Sequence, residues 1–162
     1  MNNLKEYIIE GLKINSKSKV NKQFKPKDKN DLRNTLRTLL VADHHANLNN
    51  IDVSGIEDMT GLFDGLDPYK IDISEWDVYN VTNMSNMFNG CNHLDCDISD
   101  WDVSNVEYMN FTFYGCYNFD CDLSKWDVSK VKRWNGIFGP YDGTHQFKEE
   151  YKPKFNLKNL NK

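Results

Sequence analysis

The chain has 162 residues, 20 Lys and Arg against 24 Asp and Glu, and a formal net charge of −4. Hydrophobic residues make up 39% while aromatics reach 13%, so its core must be thin and aromatic, with little Ala or Leu. No apolar run approaches the roughly 18 residues of a membrane-spanning helix, which excludes an integral helical membrane protein. The amino end, Met1-Asn2-Asn3-Leu4-Lys5-Glu6, lacks the basic-then-apolar pattern of a secretory signal and predicts a cytoplasmic protein, in a bacterium or an infected host cell.

In chain order the charge divides into three zones. Residues 1–50 carry ten basic and five acidic side chains, residues 51–147 five and seventeen, and residues 148–162 five and two. The head is therefore read as a basic helical cap or arm, the middle as the folded body, and the end as a short basic tail. Leu4, Tyr7, Ile8 and Leu12 predict a first short helix. Lys13, Lys17, Lys19, Lys22, Lys25, Lys27 and Lys29 then form a dense run, suited to anion binding or to solvation against the acidic body. After Pro26, a cap at Asp28 or Asn30 precedes Leu32, Leu36, Leu39 and Leu40, which predict a second helix covering the open end of the body.

The body repeats itself every 25 residues. Trp76-Asp77-Val78, Trp101-Asp102-Val103 and Trp126-Asp127-Val128 share this spacing, as do Val81, Val106 and Val131, and Phe88, Phe113 and Phe138. A diverged earlier unit keeps the register through Ile51-Asp52-Val53, Ile56, Met59, Phe63 and Gly65, making four units in all. Residues 97–103 alternate polar and apolar, which predicts a short strand. Val81, Met84 and Phe88 fall at i, i+3 and i+7, which predicts a short helix closed by Gly90. Both predictions lead to an α/β class, a right-handed solenoid with parallel strands on one side and short helices on the other.

Residues 98–116 read I-S-x-W-D-V-S-x-V-x-x-M-x-x-x-F-x-G-C, and residues 76–88 read WDVYNVTNMSNMF. This pattern resembles the BspA-type leucine-rich-repeat family over roughly residues 51–140. The resemblance implies a leucine-rich-repeat-like solenoid; known members are mostly bacterial surface proteins that adhere to other proteins, with relatives in phages, large viruses and protists. A compact version without an export signal looks more like an intracellular binding protein encoded by a phage or virus.

Four cysteines, Cys91, Cys96, Cys116 and Cys121, recur with the repeat and are read as buried thiols in two ladders. Zinc would call for tighter knuckles, and disulfides for an oxidising compartment. The rows Asp52, Asp77, Asp102, Asp127 and Asp72, Asp97, Asp122 are read as acceptors for backbone N–H groups in turns, ahead of calcium or catalysis. His44, His45, His93 and His145 follow no repeat, and no phosphate loop, nucleophile elbow or zinc-protease motif occurs. No enzyme, metal or cofactor is expected.

Aromatics outside the ladders have no role in the repeat, so Tyr79, Glu107, Tyr108, Tyr114 and Tyr117 are candidate partner contacts. The last unit adds Lys132, Arg133, Trp134 and Tyr141, alternatively a cap over the end of the core. The expected function is non-enzymatic binding of another protein, extending to inhibition of a host protein such as a defence component. The alternatives are nucleic-acid binding through the arm 13–29 and a structural place in a virion or surface assembly, with self-association left open.

Overall fold

The 25-residue period is realised as a stack of coils whose backbones meet in register. In this computed structural model residues 24–139 and 147–155 are described. The predicted helix at Leu4, Tyr7, Ile8 and Leu12, together with Lys13, Lys17, Lys19, Lys22, Tyr141 and His145, lies outside the described residues. Parallel bridges join Asn47 to Asp72, Lys70 to Asp95, Asp58 to Asn83, Asn83 to Tyr108, and Tyr108 to Arg133, each pair one repeat apart.

Each bridge is a single pair, and there is no sheet among the described residues. The expected solenoid of parallel strands and short helices is therefore corrected: the coils are built of tight turns, and α1 (Lys29–Ala42) is the single α-helix described. Hydrogen bonding explains both departures. In the segment predicted helical, the N–H groups of Met84, Asn86, Phe88 and Gly90 donate to the carbonyls of Tyr108, Asn110, Thr112 and Tyr114 in the next coil. Alternate donors are thus committed between coils and cannot form an i to i−4 ladder. Of the intervening residues, Met87 and Asn89 donate three residues back, to Met84 and Asn86, as does Cys91 to Phe88, so the helix-like spacing marks successive turns. In the segment predicted as strand, Trp101 N–H donates to the Ile98 carbonyl and the Asp97 carboxylate holds Ser99 N–H, which bends the backbone. Gly90 and Gly115, at φ 74° and 76°, close the turns where helix ends were expected.

Side-chain ladders fill the stack. Phe63, Phe88, Phe113 and Phe138 stack with centroids 5.0, 5.6 and 5.8 Å apart. Trp76 and Trp101 lie 6.2 Å apart and nearly parallel. The indole N–H groups of Trp76, Trp101 and Trp126 donate back to the carbonyls of Leu48, Ile73 and Ile98 at 3.0–3.1 Å, so each indole also pins the preceding coil. Thr112 stands in a buried row otherwise apolar, its hydroxyl within reach of the Met84 and Met109 carbonyls.

Both ends of the stack are covered. Asp28 caps α1 by accepting from Asp31 N–H, and Leu32, Leu36, Leu39 and Leu40 join the common core, as the predicted second helix requires. Arg33 fixes α1 on the first coil by donating to the carbonyls of Gly61, Leu62 and Asp64. At the other end Phe147 stacks on Phe138 and Phe119, Phe155 stacks on Trp134, and Tyr151 O accepts from Leu123 N–H. No helix among the described residues is long and apolar enough to cross a membrane.

Candidate interaction surface

The aspartate rows perform the turn role expected of them. Asp72, Asp97 and Asp122 each accept from the N–H of Ser74, Ser99 and Ser124, two residues on, with the Ser99 hydroxyl at 2.7 Å from Asp97 Oδ1. Asp77, Asp102 and Asp127 hold the N–H groups of Tyr79, Ser104 and Ser129 in the same way. The Ser99 hydroxyl first, then the Ser99 N–H, hold Asp97 below its ordinary 3.8, and Ser104, Ser124 and Ser129 do the same to Asp102, Asp122 and Asp127. These rows are anchored acceptors in a repeated job, and among the described residues no three His, Cys, Asp or Glu side chains converge as a metal site.

The four cysteines are free thiols. Cys91 and Cys116 donate to the carbonyls of Phe63 and Phe88. Burial pushes Cys91 up to about 12 and Cys121 up to about 11, and raises Cys96 and Cys116 as well. Carboxylates depressed in the fold contribute stability above their unfolded value, and it is lost as pH falls through the folded value. Thiols raised in the fold contribute stability below their unfolded value, and it is lost as pH rises towards the folded one. Thermal midpoints are therefore expected to be level from about pH 5 to 8. They should decline below the ordinary carboxyl value of 3.8 and again above the ordinary thiol value of 9.0, as read by calorimetry.

The candidate partner residues separate into two groups. Tyr79, Tyr114 and Tyr117 are 52%, 37% and 46% exposed. Tyr108 is half-buried and carries a bridge on each side, Glu107 is paired with Lys132 at 2.7 Å, and Trp134 is half-buried beneath Phe155. Trp134 thus belongs to the closing cap rather than to an open contact face. Arg133 is exposed beside it in sequence, although its backbone bridges Tyr108. Of the basic run, Lys25 and Lys29 pair with Asp52 and Asp58 of the chain's own first coil, while Lys27 is exposed.

Sequence reasoning missed Phe111. In successive coils the residues at its position are Gly61, Asn86, Phe111 and Gly136, with φ of 60°, 57°, 55° and 60°. Glycine and asparagine tolerate this left-handed geometry, whereas phenylalanine is strained in it. The Phe111 ring is nevertheless 40% exposed, packed edge-on to Tyr114 at 5.8 Å and lying over Gly136. Its misfit against glycine and asparagine in the aligned units was the available signal.

Residues 30–152 match the family described as Mycoplasma protein of unknown function, DUF285. The chain belongs to this family. No curated protein and no solved structure matches it. The DUF285 match begins inside α1 and ends within the segment that closes the stack, so it spans most of the capping helix, every coil and the exposed rings of Tyr79, Phe111, Tyr114 and Tyr117. The Lys-rich run 13–29 of this DUF285 protein lies before the matched region.

Proposed function

We propose that this DUF285 protein is a non-enzymatic module that binds another protein through exposed aromatic side chains, the edge-on pair Phe111 and Tyr114 together with Tyr117 and Tyr79. The observation that carries the reading is Phe111: a bulky ring left 40% exposed over Gly136 and Tyr114 is held on a left-handed backbone, where neighbouring coils use glycine or asparagine, and so keeps a strained conformation that an asparagine would relieve. Exposed aromatics are the side chains that dominate binding hot spots. The resemblance to BspA-type repeats, whose members adhere to proteins, agrees with it. A reducing, cytoplasmic setting suits four free thiols packed in or against the core.

Phe111→Asn is the decisive variant. It should fold normally and gain about 1 kcal/mol in urea unfolding, because asparagine accepts the left-handed geometry that Asn86 already adopts. The same substitution should abolish capture of the protein partner retained from native-host lysate at about 0.5 M salt, where exposed charge attraction is screened. A variant that is destabilised and still captures the partner would place Phe111 in the scaffold and refute the reading.

A further inference from the structure

Beside the row of Asp72, Asp97 and Asp122 runs a trough across the coils. Two depressions, of about 350 and 580 Å³, share Asp95, Cys96 and Asp97 and so join into one channel. Along it, one wall repeats through Asn47, Asp72, Asp97 and Asp122. The other wall repeats through His45, Lys70, Asp95 and Asp120. Between the walls, Ile71, Cys96 and Cys121 form a buried floor of modest polarity. Three steps between parallel-paired coils span roughly 14 Å, the length of four or five extended residues.

The trough has three properties that define its ligand. Its walls hold five carboxylates, and that of Asp95 makes no hydrogen bond or ion pair among the described residues. Its floor includes the Cys96 thiol, 7% exposed, common to both depressions and without a hydrogen-bond partner among the described residues. The protein itself seats a cation at one end: Lys148, from the closing segment, reaches Asp120 Oδ2 at 2.8 Å, with its ammonium 4.4 Å from the Tyr151 ring. Lysine and arginine lay aliphatic stems on apolar surface while their heads reach polar groups. A floor of low polarity between walls that carry five carboxylates against Lys70 matches that division.

We propose that this trough is a docking groove for an extended lysine- and arginine-rich segment of a partner protein. The groove is separate from the exposed aromatic side chains, sharing none of those residues, so either reading can fail without the other. The chain's own Lys25 and Lys29 do not compete for it, being paired with Asp52 and Asp58.

The test is calorimetric titration of the full chain with a short acetylated peptide of alternating lysine and arginine, with an oligoglutamate peptide as control. Saturable binding of the basic peptide, weakening as salt is raised, is expected, and none of the acidic one. Asp95→Asn/Asp97→Asn removes the two carboxylates common to both depressions, while the asparagine amide oxygen still accepts from Ser99. This variant should bind about tenfold more weakly, whereas Glu75→Gln/Asp100→Asn, equal in charge but outside the trough, should stay within about twofold. Equal weakening in both variants would reduce the interaction to net charge and overturn the proposal. So would the absence of saturable binding, including the case in which the chain's own arm occupies the groove.

Discussion

Replacing Trp101 with alanine is expected to destabilise the protein by about 4 kcal/mol, lowering its thermal midpoint by roughly 10 °C. The indole is buried, stacks on Trp76, and donates from Nε1 to the Ile73 carbonyl of the preceding coil at 3.1 Å. Alanine removes the ring volume between two coils and takes away one of the two donors to the Ile73 carbonyl, which keeps only the Trp76 N–H. Trp101→Phe keeps most of the packing and loses the hydrogen bond, so about half the effect should return. Tyr79→Ala, at an exposed position in the preceding unit, should cost less than about 0.5 kcal/mol. Urea unfolding monitored by fluorescence reads all three. A loss below about 1 kcal/mol for the alanine variant would mean that backbone pairing holds the stack without its tryptophans.

The second large effect is expected at Arg33. Its guanidinium donates to three carbonyls of one tight turn, those of Gly61, Leu62 and Asp64, and thereby orients α1 over the first coil. Arg33→Ala should cost about 3 kcal/mol, because charge-assisted hydrogen bonds to a partly buried turn are lost together. Arg33→Lys should recover less than half, since a single ammonium cannot reproduce the two guanidinium nitrogens that reach three carbonyls. Hydrogen exchange localises the effect. The amides of α1 and of residues 59–66 should lose protection first, while those around Phe113 keep theirs. Uniform loss across the stack would show that α1 and the coils unfold as one unit.

The ends of the stack account for why both effects should be large. Each coil has an aromatic and aliphatic row that is satisfied only by a neighbour, so the terminal coils need covers. Leu32, Leu36, Leu39 and Leu40 provide one, and Phe147 and Phe155 the other, through stacking on Phe138, Phe119 and Trp134.

The repeat, its register, α1 and the turn role of the aspartates were all legible in the sequence. The 25-residue period requires equivalent residues to meet, and they do: Phe63 meets Phe88, Trp76 meets Trp101, and Asn83 bridges Tyr108. The helical spacing of Leu32, Leu36, Leu39 and Leu40 behind Asp28 specifies α1 from local interactions alone. What each coil is made of was decided only in the tertiary structure. Val81, Met84 and Phe88 have helical spacing, and residues 97–103 alternate like a strand, yet both segments form turns. A spacing pattern records which side chains face inward; it does not record where the backbone N–H groups donate. In this chain alternate donors reach the next coil and others close turns, and that choice exists only once the coils are stacked. The trough has the same origin. Asp95 and Asp120 stand one repeat apart in the sequence, but a channel between their row and that of Asp97 and Asp122 arises only when successive coils are brought side by side.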